Sequence, residues 1–292
     1  MHPNSAIVRN EGPARENVDF YAQNGYLIAP QLLTPEEIGE LNRETAEIFR
    51  GNRGQVEGLM PVSGLSDADV LKRYIAIHFP HKLSPLIREY LRHPRVVEIL
   101  TKIVSPNVKC MQSMLFVKGP GKAGQAWHQD EYYIPTRDRS LVGAWIAIDH
   151  ATIENGCLWI IPGSHRTGVV SRRIPGTSPE FAESDTLDIS AYTSDQIVPV
   201  EVQSGSIVFF HGYLFHSSRR NRTTDRFRTA LVNHYMSAES TLPWDQDRRL
   251  PATEDLRDIV MVAGVDPYEW KGVVDISKPY LRSETPTPKG ER

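Results

Sequence analysis

The chain changes texture near residue 108. Before it, apolar residues recur at helical spacing; after it, short runs rich in Val, Ile, Phe and Trp are punctuated by Gly, Pro and Asn. LTPEEIGELNRETAEIFR, 33 to 50, predicts a helix with Thr34 as N-cap, Pro35 in its first position and Glu37 closing a capping box. Ile38, Leu41, Ala46 and Ile48 supply its apolar stripe. A second helix is expected after Ser84, opened by Pro85, and a third over PRVVEILTKIVS, 94 to 105. The stretch GNRGQVEGLMPVSGLSDADV between the first two reads as loop.

Five strand-like runs follow: KCMQSMLFVK, SLVGAWIAIDH, GCLWIIPG, GSIVFFHG and TALVNHYM. Short strands with no helices between them predict an antiparallel sandwich or barrel. The fold class expected is therefore mainly β with flanking helices. The polar stretch 167 to 196 exceeds an ordinary connection and reads as a lid. TEDLRDIVMVAG, 253 to 264, reads as a late helix with a Thr cap and a Gly stop. No linker composition interrupts the chain, so one domain over 1–292 is expected. Within it, 1–17 is a flexible N-terminus, 18–107 a helical part, 108–237 the β core and 238–292 a C-terminal extension ending in a PTPKGER tail.

Composition narrows the function. A formal net charge of −3 argues against a nucleic-acid binder, although basic residues cluster at 171–173 and 217–228. No run of 18 apolar residues predicts a membrane span and no signal peptide is visible. Two cysteines, Cys110 and Cys157, suit reduced thiols in a cytoplasmic core.

The chemistry begins at WHQD. Residues two apart on a strand share a face, so His128 and Asp130 are placed to reach one ion. Two ligands make no site; a facial triad needs another histidine, and His211 and His216 in FFHGYLFHSS are both candidates. Arg228, at the start of the last strand signal, is costly to bury without a carboxylate to pair with.

WHQD, WIAIDHATIENGCLWIIPGSH, and FHGYLFHSSRRN followed by FRTALVNHY resemble the phytanoyl-CoA dioxygenase family of Fe(II)/2-oxoglutarate oxygenases. NGYLIAPQLLTPEEIGEL resembles that family's N-terminal segment. The resemblance implies a double-stranded β-helix, a cupin-like jelly-roll, with iron at its mouth. It places His128, Asp130 and His216 at the metal positions, Arg228 at the distal carboxylate of 2-oxoglutarate, and Ser218 beside it. Gln129 and Trp145 are further cosubstrate candidates; Gln112, Lys118, Tyr132, Tyr133 and Arg137 are candidates for the substrate pocket. Asn221 to Arg228 is one residue longer than the family pattern, which leaves Arg226 as an alternative anchor. His211 is expected to be structural or to support a ligand, His165 to stabilise a turn near the barrel mouth, and His150 and His234 to be core or lining residues.

The implied reaction hydroxylates a C–H bond of a small molecule, consuming O2 and releasing succinate and CO2. Desaturation, epoxidation or ring formation at the same centre is an alternative outcome. Asp130 disfavours the related halogenases, which free that position for chloride. Two other classes are a non-catalytic cupin-like metal-binding protein, which has no need of Arg228 and Ser218, and a zinc hydrolase, for which no HExxH is present. The pattern sets no oligomeric state.

Overall fold

The computed structural model describes residues 13–60, 62–243 and 255–282. The ends of the chain named above as tails fall largely outside these residues. The elements in chain order are α1 (Arg15–Asn24), β1 (Tyr26–Ala29), α2 (Pro35–Phe49), α3 (Asp67–Leu71), β2 (Ala76–His78), α4 (Pro85–Tyr90) and α5 (Pro94–Ile103). Then come β3 (Val108–Lys118), β4 (Val142–Ala147), β5 (Leu158–Ile160), β6 (Arg173–Pro175), β7 (Asp185–Leu187), β8 (Val198–Val200) and β9 (Ile207–His211). β10 (His216–Ser218), β11 (Arg228–Ser237), β12 (Val260–Ala263) and β13 (Tyr280–Arg282) complete the set.

A large antiparallel sheet runs β1-β9-β4-β11-β3-β2-β13, with β12 paired to β3. A smaller sheet, β10-β5-β8, faces it, and β6 and β7 form a separate hairpin. The large sheet is buried on both faces, which is why its strands read as nearly continuous apolar runs. The two-residue alternation still sorts them. Ala144, Ile146, Ile207, Phe209, Leu231 and Tyr235 pack under the helices, whereas Trp145, Ala147, Val208, Phe210, Ala230 and Val232 point between the sheets. The core between the sheets is closed by Leu158, Ile160, Val198 and Val200 of the smaller one. This is the double-stranded β-helix, and its open end holds the polar residues described below.

The helical expectations over 33–50, 85–90 and 94–103 hold. Thr34 Oγ1 accepts from the Glu37 amide, and Glu37 returns the bond to the Thr34 N–H. Three local readings change. α1 starts inside the stretch expected to be flexible, and α3, capped by Ser66, lies in the stretch read as loop. Of the late helix expected over 253–264, the described residues 255–264 form no helix: Val260–Ala263 make β12, which pairs with Val108–Cys110 of β3. Val260 and Val262 are β-branched, and the edge of β3 at 108–110 that β11 leaves free offers them backbone partners.

Candidate metal and cosubstrate site

His128 and His216 face each other across a two-way backbone bridge, each N–H donating to the other's carbonyl at 3.0 and 3.1 Å. His216 opens β10, which pairs with β5. His128 and Asp130 do not lie on a regular strand: Asp130 begins a 3-10 turn over Asp130–Tyr132. The turn nevertheless brings the carboxylate back to the imidazoles. Asp130 Oδ1 lies 3.6 Å from His128 Nε2 and 3.5 Å from His216 Nε2, and all three residues are buried.

The tautomers follow from the backbone. His128 Nδ1 donates to the Ala126 carbonyl at 2.7 Å, and His216 Nδ1 to that of Leu214 at 2.9 Å. Both Nε2 atoms therefore turn toward Asp130 Oδ1 as donors to a cation. Burial, then the neighbouring His216, pushes the His128 pKa well down. Burial opposes charge on Asp130 as well, but His216 and His234 outweigh it and hold the carboxyl well below its usual range. Burial would also lower His216, yet the Asp130 charge outweighs it and raises that pKa. Two nitrogens and a carboxylate converging in a buried pocket form the donor set of a facial triad, and a divalent cation fits it.

Deeper in the same cavity lies Arg228, 4% exposed, at the start of β11. Its guanidinium carbon sits 5.5 Å from the Trp145 ring, and its Nε is buried with no partner. Among the described residues no carboxylate forms an ion pair with it, and burial lowers its pKa to about 10. Beside it, Ser218 Oγ accepts from Lys118 Nζ at 2.8 Å and from the Gln125 amide at 3.1 Å. With both lone pairs taken, its hydroxyl proton is left to donate into the cavity. A buried cation without a counter-charge next to a committed donor fits a carboxylate ligand.

Arg226 is excluded as the anchor: its side chain is half exposed and ion-paired with Glu154. The extra residue before Arg228 is taken up by Asn221, whose side-chain amide donates to the carbonyls of Lys118 and Arg226. Trp145 lines the cavity as expected. Gln129 does not. Its Nε2 donates to the carbonyls of Val169 and Tyr213, and its Oε1 accepts from the Ser171 amide, so it staples the start of the 167–196 stretch to the HxD segment. Asp130 has already turned into its 3-10 helix, and this leaves the intervening side chain facing the loop instead of the pocket.

Of the pocket candidates, Lys118 backs the wall, held by Ser218 and the carbonyls of Gly156 and Arg219. Gln112 lies 3.5 Å from His78 Nδ1, which Tyr280 of β13 also contacts, at 3.0 Å. Tyr132 and Tyr133 are partly exposed at the mouth, with the Tyr133 ring 6.2 Å from that of His128 and Arg173 of the lid over both tyrosines. Arg137 is exposed and does not line the cavity that holds the three donors; its backbone N–H donates to Ser240 Oγ. His211 and His165 pack together beneath Gly25 and touch no ligand residue. Asn155 holds the turn at 150–156: its Oδ1 accepts from the Thr152 amide and its Nδ2 donates to the His150 carbonyl.

Two participants, Gln125 and Glu183, escaped sequence reasoning, and a third, His234, was expected only as a core or lining residue. Gln125 Nε2 lies 3.0 Å from His128 Nε2. His234 Nε2 lies 3.1 Å from Asp130 Oδ2. Glu183 accepts from the Ala126 amide at 2.8 Å and pairs with Arg282 of β13. Only His234 had a readable signal, since it stands an even number of residues after Arg228 on a predicted strand.

Residues 21–230 match the model of the phytanoyl-CoA dioxygenase (PhyH) family. The chain belongs to this family. A phytanoyl-CoA dioxygenase domain-containing protein 1 of Danio rerio is 29% identical over 280 residues, covering 82% of this chain and 96% of the relative. A phytanoyl-CoA dioxygenase of Arabidopsis thaliana is 26% identical, covering 80% and 91%. Among solved structures, SnoK, a non-heme alpha-ketoglutarate-dependent carbocyclase from nogalamycin biosynthesis, superposes with a TM-score of 0.65 at 24% identity, covering 89% of this chain and all of that one. EctD from S. alaskensis, solved with 2-oxoglutarate and 5-hydroxyectoine, gives 0.61 at 18% identity, covering 82% and 81%. These likenesses carry the fold, and the PhyH match makes the chain a member of a dioxygenase family. Among the described residues, no helix is long and apolar enough to cross a membrane.

Proposed function

We propose that this PhyH-family chain is an Fe(II)- and 2-oxoglutarate-dependent dioxygenase that hydroxylates a C–H bond of a small molecule. His128 Nε2, Asp130 Oδ1 and His216 Nε2 would hold the iron. Arg228 and the Ser218 hydroxyl would hold the distal carboxylate of 2-oxoglutarate, with Trp145 as a wall. Bound iron supplies O2 activation coupled to decarboxylation of 2-oxoglutarate, the chemistry that no side chain here provides. The chain's own part is to fix the donors, neutralise the cosubstrate and keep water away. Desolvation of Arg228 strengthens its attraction to a carboxylate, and the backbone bonds to His128 and His216 pre-set both imidazoles.

The observation that carries this reading is Arg228, a buried arginine with no ion-pair partner among the described residues, lining the same cavity as the three donors. A metal-binding cupin without turnover gains nothing from such a residue. The single-domain organisation and a cytoplasmic setting belong to the same proposal. They are supported by β1 and β13, which tie both ends of the described chain into the large sheet, and by two buried free thiols. The test is succinate formation by the iron-loaded chain given 2-oxoglutarate and air, with metabolite pools added to find the stimulating substrate. No iron-dependent consumption of 2-oxoglutarate under any of these conditions would refute the reading.

A further inference from the structure

We propose that His234 is a positioning residue for the metal carboxylate, holding Asp130 by Oδ2 so that only Oδ1 is presented to the metal. The inference rests on the triad reading above and adds a residue to it. β11 places Arg228, Ala230, Val232 and His234 on its inward face, so one strand carries both the cosubstrate anchor and the holder of the ligand. His234 is 4% exposed, and its Nε2 lies 3.1 Å from Asp130 Oδ2. Asp130 Oδ1 faces the two ligand histidines instead. The two oxygens of one carboxylate are thus assigned to different neighbours.

Oδ2 only accepts, so His234 donates through Nε2–H and its Nδ1 is the lone-pair nitrogen. That Nδ1 is buried and has no partner. A leucine or phenylalanine would fill the space without leaving a polar atom unpaired, so what the imidazole gains there is the bond to Asp130. The surroundings hold it in place. His234 is paired with Gln112 on one side and with Gly143 on the other. A Cβ at Gly143 would come to 2.5 Å from the Phe210 ring, whose centroid lies 4.6 Å from that of His216 at a tilt of 47°. The functional consequence is coordination number. A carboxylate free to swing could chelate through both oxygens and occupy a position that a bidentate cosubstrate and O2 require; one oxygen tied to His234 keeps Asp130 to a single bond.

Co(II), which reports its coordination through its visible d–d absorption, tests this without turnover. The full-length wild-type chain, His234→Gln and His234→Met are titrated with Co(II), by calorimetry and absorption, after their metal-free melting temperatures are measured. Gln keeps an N–H donor and Met does not. The expected result is that Met binds Co(II) about 10- to 100-fold more weakly than wild type with an altered d–d spectrum. Gln should recover most of the affinity and the wild-type spectrum. Equal affinity and spectra for Gln, Met and wild type would overturn the positioning role and leave His234 as filler. Absence of Co(II) binding by the wild-type chain would overturn the metal site itself, and the inference with it.

Discussion

At the scale of single residues, the site depends on which buried polar groups lack partners. Arg228 is the sharpest case, because its guanidinium has no carboxylate among the described residues. Arg228→Ala is expected to weaken 2-oxoglutarate binding by at least about 10-fold, following roughly 1.5–3 kcal/mol for a charge-assisted hydrogen bond. Metal affinity should stay close to wild type; isothermal titration of each ligand separately checks this, and equal loss of both would mean that Arg228 supports the fold and not the cosubstrate. His128 and Asp130 were legible as a pair two residues apart, whereas His211 and His216 were equal candidates for the third position until the family resemblance chose His216. Gln129 was set at the cosubstrate by the resemblance alone; strand alternation puts it on the face opposite His128 and Asp130, and its side chain does bond away from them, to Val169, Ser171 and Tyr213. His234 was expected only as a core or lining residue, because its bond to Asp130 joins positions 104 residues apart in sequence.

At the scale of elements, α2 shows how a locally coded feature gains tertiary support. Glu37 closes the capping box and also meets His93 and Arg95, which flank the start of α5. Burial would raise its pKa from 4.5, but the Thr34 amide, His93 and Arg95 prevail and hold it at about 2. A carboxyl depressed on folding contributes stability above its unfolded pKa, and that contribution is lost as pH falls toward the folded value. Glu37→Gln should therefore destabilise the chain at pH 7, with the gap to wild type closing as pH drops from about 4.5 toward 2. Chemical denaturation of both proteins across that range checks it; a gap independent of pH would show that the cap, not the charge, matters. The helices with caps and proline starts were readable from sequence for the same reason: their signals are local. β12 was not, because a short continuous apolar run such as IVMVA fits a helix or a strand by pattern and takes whichever backbone partners the sheet offers.

At the scale of the whole molecule, remote parts of the chain are gathered around one cavity. β11 sits between β4 and β3, β1 adds an edge beside β9, and β13 comes from the far end to pair with β2. The stretch 167–196, legible only as a long polar loop, is in fact fastened at several points. Gln129 holds its start, and Glu183 links it to the Ala126 amide and to Arg282 of β13. Glu183→Ala should therefore open the lid: limited proteolysis within 167–196 is expected to accelerate while the melting temperature changes little. Unchanged cleavage would show that the other contacts suffice to hold it. No periodicity could reveal this latch, since it joins segments 99 residues apart through side chains alone.

The central claim is that one cavity binds a divalent iron through His128, Asp130 and His216 and 2-oxoglutarate through Arg228. Anaerobic titration of the full-length chain with Fe(II), then with 2-oxoglutarate, tests it most directly, read by visible charge-transfer absorption. The account predicts one iron per chain, an absorption band that appears only when 2-oxoglutarate is added, and loss of that band in Arg228→Ala with the iron still bound. Iron binding that survives removal of both His128 and His216, or no response to 2-oxoglutarate in the wild-type chain, would contradict it.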